Sequence, residues 1–172
     1  MKLAVLFVVS ALTQPEPRPF VSAAAGFSVA FPREPIHETL TVPTSGGPQL
    51  RHVFRYADDD AIYFLVFTCT PPPPLPSDPK KALQVAREEW LRTAGSKVIS
   101  DKPIMVNGYH GREFVEEVGG QKARGRTVMG PNGAFYSLTA AERSEPGTGR
   151  ASAFLDSFRI LPEAAASVCR TN

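Results

Sequence analysis

The sequence is short of the features that mark common enzymes and nucleic-acid-binding proteins. Its formal net charge is only +2, which is too small to indicate a nucleic-acid partner. It has no GxSxG motif for a serine nucleophile, no HExxH motif for zinc, and no GxGxxG or GxxxxGKS/T motif for a phosphate group. We therefore expect a protein that is not an enzyme, with no catalytic residues, no metal ligands and no cofactor.

Cysteine is also scarce, because the chain has only Cys69 and Cys169. An even number of cysteines permits one disulfide in an exported protein. That bond would close a long loop and stabilise the fold by roughly 4–5 kcal/mol in the chain-entropy model. The spacing does not show that the two side chains meet, so a buried, unpaired Cys69 and a free Cys169 on a tail stay as the alternative.

The apolar run near the N-terminus is too short to span a bilayer, which takes about 20 residues. It covers Leu3–Leu12 behind Lys2 and has the length of the central region of a signal peptide. Small residues that suit cleavage follow at 22–25, with an earlier set at 9–11. These features predict export to the periplasm or the outside, with a signal peptide and linker over residues 1–25 and no transmembrane segment after signal removal. The alternatives are an apolar first strand and a misassigned start codon.

The rest of the chain has the composition of one globular domain. With 172 residues, 42% of them hydrophobic and 21% charged, it has room for a single core. Apolar runs bounded by turn signals predict strands over 26–32, 36–42, 49–56, 61–70, 98–106, 109–118, 121–129 and 134–141. Apolar residues at helical spacing predict helices over 79–94 and about 148–158. We expect the domain to cover residues 26–161, followed by a C-terminal tail over 162–172.

The central part of the chain predicts how these elements combine. Glycine-rich breaks occur at 107–108, 119–120 and 131–133. They predict an antiparallel meander between Met105 and Ala141 that the other elements must cover. Strand 61–70 is apolar on both faces, a pattern that marks a central strand covered on two sides. Strands 26–32 and 36–42 are expected to pair with each other.

The order of elements and three short patterns resemble a known family. The order is two strand pairs, a helix, four strands and a terminal helix, and the patterns are GFSVAFPREP, NGYHGREF and ASAFLDSFRIL. Together they resemble the PsbP-like fold family, which includes the photosystem protein PsbP, a Ran-binding nuclear import factor, the bacterial envelope protein DcrB and the mycobacterial LpqN lipoproteins. The resemblance covers 26–161 and implies an exported bacterial member with an α+β fold, in which a single antiparallel sheet of about six to eight strands carries helices on its faces as an α/β/α sandwich. It implies no single function and no functional residue, since family members bind different partners.

One cluster of charged residues is a candidate binding patch. Lys122, Arg124 and Arg126 alternate along one predicted strand, so their side chains project from one face. With Arg112 on the neighbouring strand they would suit a carboxylate, a phosphate or an acidic partner. The alternative is a solvated face whose charge is balanced by acidic residues across the hairpin, which are Glu113, Glu116 and Glu117.

The sequence therefore predicts a non-enzymatic, exported binding or accessory protein that contacts another protein or an envelope component, with no nucleic acid. A first alternative is a small-ligand carrier with a pocket between the helix of Trp90 and the sheet, onto which Trp90 is expected to pack. A second alternative is a hydrolase that uses His52, His110 and Cys69. The apolar surroundings of Cys69 argue against it, because they would raise the pKa of the thiol and make it inert.

Overall fold

The computed structural model describes residues 19–44, 47–69, 76, 78–143 and 149–169. Its strands, in chain order, are β1 (Phe20–Ser22), β2 (Phe27–Val29), β3 (Ile36–Thr44), β4 (Gly47–Ala57), β5 (Ala61–Thr68), β6 (Lys97–Val106), β7 (Tyr109–Val118), β8 (Gln121–Met129), β9 (Phe135–Glu142) and β10 (Arg159–Ile160). Its helices are α1 (Pro79–Ala94), α2 (Arg150–Ser157) and α3 (Pro162–Val168).

Two antiparallel sheets form the frame of the fold. Seven strands make the larger sheet in the order β3-β4-β5-β9-β8-β7-β6, and three short strands make a smaller sheet in the order β1-β2-β10. The predicted α+β class, with one principal antiparallel sheet and helices on its faces, is confirmed, and the seven strands fall inside the predicted range. The smaller sheet was not predicted. None of the described helices is both long enough and apolar enough to cross a lipid bilayer.

The predicted meander forms as β7 to β9, and β6 extends it at the edge of the sheet. Asn107 and Gly108 have φ values of 51° and 83°, and Gly119 and Gly120 have φ values of 58° and 82°. Two consecutive residues with positive φ suit the commonest two-residue hairpin turns, whose twist matches that of the flanking strands. These turns set the register of β6, β7 and β8, and β9 then lies beside β8.

The prediction that residues 26–32 pair with 36–42 is wrong. β2 lies between β1 and β10 in the smaller sheet, whereas β3 pairs with β4 in the larger one. Pro32 and Pro35 separate β2 from β3, and proline lacks the backbone N–H that a shared ladder needs. The chain therefore leaves the smaller sheet after Val29 and begins the edge of the larger sheet at β3.

Two described elements lie outside the predicted domain limits of 26 and 161. β1 falls in the range expected to be linker, and the ring of Phe20 lies 5.7 Å from that of Phe54, centroid to centroid. α3 falls in the range expected to be a tail, yet Ala165 on this helix is fully buried. Gly26 (φ 65°) makes room for α3, because a β-carbon there would overlap the backbone of Ala165. Packed residues therefore extend beyond both limits.

One side of the larger sheet, the core face, packs against the smaller sheet and α2. Large aromatic side chains fill this core, and they are Phe27, Phe54, Tyr63, Phe67, Tyr136, Phe154 and Phe158. The hydroxyl of Tyr136 donates a hydrogen bond of 2.9 Å to the carbonyl oxygen of Ala25, which ties β9 to the residues before β2. Burial raises the pKa of this hydroxyl, so it stays protonated and remains a donor.

The opposite side of the sheet, the helix face, is covered by α1 over β7 and β8. Leu83 of α1 and Phe114 of β7 are buried. Gly125 of β8 leaves the space that the ring of Phe114 occupies, since a β-carbon there would overlap it. β5 is an inner strand, as predicted, but the prediction that both its faces are covered is wrong, because Phe64 on the helix face is 38% exposed.

Candidate functional site

The three residues of the hydrolase alternative do not come together. Cys69 and Cys169 form a disulfide, with their Cα atoms 5.0 Å apart, so neither offers a thiol nucleophile. Residues that pair across neighbouring strands share a face of the sheet. The row of paired residues that begins at His52 continues through Phe67, Tyr136 and Val128 to Gly111, so all of them lie on the core face. His110 precedes Gly111 and therefore points to the helix face, because side chains alternate along a strand. These residues do not form one catalytic site.

The basic patch is formed only in part. Lys122 and Arg124 are exposed, and Arg126 shares their face of β8. The guanidinium of Arg126 is already engaged, because it donates hydrogen bonds of 2.6–2.9 Å to three groups, which are the carboxylates of Glu113 and Asp156 and the carbonyl oxygen of Leu155. Arg126 therefore joins β8 to β7 and α2 and is unsuited to reach an external anion.

Arg112 does not join the patch. It pairs with Thr127 across the hairpin, whereas Arg126 pairs with Glu113, so the two arginines point to opposite faces of the sheet. On the helix face Arg112 donates a hydrogen bond of 2.8 Å to Asp101. The sequence places the two arginines on neighbouring strands, as a shared patch requires. The register of β7 against β8 sets Arg112 opposite Thr127 rather than Arg126, and this offset of one residue puts the two arginines on different faces.

Glu113 balances Arg126, as the solvated-face alternative predicted, but that alternative is wrong for Glu116, which is buried on the opposite face of the sheet. Its carboxylate oxygens lie 2.9 Å from Nζ of Lys102 and 2.7 Å from Nη2 of Arg126. Burial by itself raises the pKa of Glu113, but the hydrogen bonds and positive charges of Lys102 and Arg126 outweigh burial. The pKa of Glu113 therefore lies below its ordinary value of 4.5.

The helix face holds a buried ion pair between α1 and β7. The side chains of Arg87 and Glu116 are each 2% exposed, and Nη2 of Arg87 lies 3.0 Å from Oε2 of Glu116. The hydroxyl of Ser96 donates to the same oxygen at 3.0 Å, and the guanidinium lies 3.8 Å from the ring centroid of Phe114. Sequence reasoning missed this pair. The signal was present, since Arg87 follows Leu83 by four residues and so falls on the apolar stripe of α1.

Two histidines meet on the core face of β3 and β4. Nε2 of His37 lies 3.2 Å from Nδ1 of His52. The ring of His37 stacks on that of Phe54, with centroids 4.3 Å apart and planes within 5°, and the ring of His52 lies 5.8 Å from that of Phe67. Burial, with a smaller effect from the charge of His37, lowers the pKa of His52 from its ordinary value of 6.5. Sequence reasoning missed this pair, because it depends on the register of β3 against β4.

An apolar surface that no described helix covers lies on the helix face over β3, β4 and β5. Its largest side chains are exposed by 55% at Ile36, 48% at Leu40 and 38% at Phe64. Val53 and Val66, which pair with each other, lie between them and are half-buried. We call these five residues the open surface. Adjoining exposed apolar side chains mark interaction sites, whereas isolated ones are common on any protein.

Two predictions fall outside the described residues. The pocket expected between the helix of Trp90 and the sheet cannot be placed, because the side chains of residues 89–94 are not described. The proposed signal peptide also falls outside them, because the description begins at residue 19. Both stay predictions.

Comparison with known proteins bears on the fold. No protein-family model matches the sequence, and no curated protein matches it. The structure matches the solution structure of cyanobacterial PsbP (CyanoP) from Synechocystis sp. PCC 6803 over 90% of this chain and 98% of that chain, with a TM-score of 0.58 and 11% sequence identity. The fold is PsbP-like. A crystal structure from Bacteroides thetaiotaomicron VPI-5482 matches over 84% of this chain and 48% of that chain at 11% identity, but its TM-score of 0.43 carries no weight.

The PsbP-like resemblance expected from the sequence is therefore confirmed as a likeness of fold. At 11% identity it transfers no function and no functional residue. Within this PsbP-like sheet, the histidine pair and the open surface both lie on β3 to β5, but on opposite faces. Those three strands, rather than the central meander, hold the candidate sites.

Proposed function

We propose that this chain is a non-enzymatic, exported binding or accessory protein that acts by contacting another protein. Export is supported by the disulfide between Cys69 and Cys169, because such bonds form and persist in oxidising compartments. A binding role is supported by the open surface and by the separation of His52 from His110. The PsbP-like fold is compatible with this role but does not specify it, since one fold serves many functions.

The open surface is the observation that carries this proposal. An α-helix with its side chains is about 10–12 Å across, and neighbouring strands are about 4.8 Å apart, so one helix covers roughly two or three strands. α1 covers β7 and β8, whereas Ile36, Leu40 and Phe64 stay exposed on β3 to β5. These three strands are therefore wide enough for one further helix on the same face of the sheet.

The proposed partner supplies an amphipathic helix to this space. The rows of side chains across the strands mix apolar and charged groups, since Arg55 stands between Ile36 and Phe64. Arg55 is paired with Glu38 at 3.1 Å, and both side chains are partly exposed, at 45% and 43%. A mixture of apolar side chains and paired charges is typical of interfaces between proteins that also exist apart. Because Arg55 lies between two of the apolar residues, the partner helix would cover the ion pair together with them, and Arg55 and Glu38 would keep each other's charge compensated.

The test introduces a photo-reactive amino acid at position 64 of the full chain in exporting cells. Met105 is the matched control position, because it is 57% exposed and also lies on the helix face, but on β6 at the far edge of the sheet. We expect one defined protein to crosslink at position 64 and not at position 105. That protein, once purified, should bind this chain, and Phe64→Glu should weaken binding by about 2 kcal/mol or more, as expected for a buried aromatic anchor.

Two results would overturn this proposal. One is crosslinking of the same proteins at positions 64 and 105, which would mean contact without a specific surface. The other is a purified partner whose affinity is unchanged by Phe64→Glu. Met105→Glu serves as the control for added charge, and the thermal unfolding of both variants verifies that each remains folded.

A further inference from the structure

Beyond the protein-binding surface, we propose that His37 and His52 together bind one divalent transition-metal ion. Their facing Nε2 and Nδ1 atoms are 3.2 Å apart. A metal–imidazole bond is about 2.0–2.1 Å long, so an ion equidistant from both nitrogens would make an N–metal–N angle of roughly 100°. That angle lies between the octahedral and tetrahedral values, so the two nitrogens are at a suitable distance for one ion. The ring centroids are 5.4 Å apart, so the facing nitrogens lie almost on the line between them. Each ring therefore has to turn by roughly 40° to direct its lone pair at the shared ion.

The two rings are held in place by groups other than each other. His37 stacks on Phe54, and His52 lies beside Phe67. The backbones that carry them pair continuously from Ile36 opposite Arg55 through the whole of β3. Ligands that are already positioned lose less conformational freedom on binding, so this pair is better prepared for a metal than two mobile surface histidines.

The surroundings of the pair indicate the kind of ion. His37 is exposed and His52 is half-buried, so an ion can reach the site from solvent. Among the described residues there is no group of three or more His, Cys, Asp or Glu arranged for a metal. The ion would therefore keep water in its other positions, unlike a closed structural zinc site with four protein ligands. Two imidazoles favour Cu²⁺, Ni²⁺ or Zn²⁺ over Mg²⁺ or Ca²⁺, and Cu²⁺ should bind most tightly of these.

Binding requires the movement of one hydrogen atom. In the metal-free pair, one neutral imidazole donates its N–H to the facing nitrogen of the other ring. A metal ion uses the lone pairs of both facing nitrogens, so that hydrogen must move to the remote nitrogen of its own ring. Neutral rings therefore lose no proton, and the complex gains the full charge of the ion.

The experiment titrates Cu²⁺, and in parallel Zn²⁺, into the purified full chain without a polyhistidine tag. Calorimetry gives the affinity and stoichiometry, and the electron paramagnetic resonance spectrum of Cu²⁺ reports how many nitrogens bind it. We expect one ion per chain and two nitrogen ligands. His37→Gln and His52→Gln should each weaken Cu²⁺ binding by at least about tenfold, which is about 1.4 kcal/mol. His110→Gln is the matched control, because His110 lies on the other face and should leave the affinity unchanged.

Three results would overturn the proposal. Binding that persists in both His37→Gln and His52→Gln would place the ion elsewhere. An equal loss in His110→Gln would indicate non-specific binding to histidine. A spectrum with a single nitrogen ligand would mean that the two rings do not share one ion. Thermal unfolding of all three variants in the absence of metal verifies that each remains folded, which separates loss of the site from loss of the fold.

Discussion

The buried pair of Arg87 and Glu116 allows a quantitative test of how the helix face is held together. Arg87→Met keeps the apolar stem but removes the charge, which leaves the carboxylate of Glu116, 2% exposed, with the hydroxyl of Ser96 as its remaining described partner. Removing one member of a buried ion pair costs about 3–5 kcal/mol, because the other charge is then buried without compensation. The loss of the guanidinium beside Phe114 adds to this cost.

We therefore expect Arg87→Met to lower the free energy of unfolding by about 3–5 kcal/mol. Urea unfolding at neutral pH measures it as a shift of the midpoint with an unchanged slope. Arg150→Met is the matched control. Arg150 lies 3.1 Å from Asp60, but the two side chains are 51% and 55% exposed, so this change should cost no more than about 1 kcal/mol.

A double variant separates the penalty of a lone buried charge from the net worth of the pair. Nε and Nη1 of Arg87 have no hydrogen-bond partner in the part of the chain that the structure describes, so the pair itself is costly to bury. Replacing both members with apolar residues is often neutral or stabilising, and Arg87→Met with Glu116→Leu should recover most of the stability. A loss in Arg87→Met no larger than that in Arg150→Met would refute the reasoning, as would a double variant as unstable as the sum of its parts.

Two further substitutions and one measurement on the exported chain test other parts of the fold. Replacing Cys69 and Cys169 with serine should lower the free energy of unfolding by about 4–5 kcal/mol, because the bond links positions 100 residues apart. Denaturant curves with and without reductant measure it, and a loss below about 1 kcal/mol would contradict the loop-closure estimate. Glu113→Gln should make stability less sensitive to acid. The folded-state pKa of Glu113 is below 4.5, so its contribution is present above that pH and is lost as the pH falls through the folded-state pKa. Unfolding curves from about pH 6 to about pH 3 measure this effect, and parallel losses in parent and variant would contradict it. We expect the exported chain to begin before Phe20, because the ring of Phe20 packs on that of Phe54. An intact mass that corresponds to a chain beginning at residue 26 would contradict this.

Local sequence signals predicted the elements whose partners are adjacent in the chain. The turns at Asn107–Gly108 and Gly119–Gly120 need positive φ, and residues that allow it fix where one strand ends and the next begins. Hairpin neighbours then follow from chain order. The antiparallel class, the meander, α1 and α2 could therefore be predicted from short windows of sequence.

Elements whose partners are remote in the chain could not be predicted in this way. β2 alternates like any half-buried strand, but its partner β10 lies more than 100 residues away, and alternation carries no information about that partner. α3 has no stripe of large apolar residues. It docks through Ala165, which fits against Gly26, and through the bond between Cys169 and Cys69. Both contacts exist only once the chain has folded.

For the candidate sites too, features within one strand could be predicted, whereas contacts between strands could not. The basic patch was predicted from alternation on one strand, and it fails at Arg112 because register decides which faces two strands share. The meeting of His37 with His52 depends on the same kind of information. Residue type and spacing thus predict which face a side chain takes within its own strand, but they do not predict its neighbours on the next strand.

The two proposed sites occupy opposite faces of the same strands, and this makes them separable. Ile36 and His37 are neighbours on β3, yet one belongs to the open surface and the other to the histidine pair. Ile36→Ser should weaken partner binding without changing Cu²⁺ affinity, and His37→Gln should have the reverse effect. If Cu²⁺ alters the affinity for the partner in the parent chain but not in His37→Gln, the strands couple the two faces. Thermodynamic linkage then requires that the partner change the Cu²⁺ affinity by the same factor. The two affinity changes can be measured separately, so each measurement checks the other.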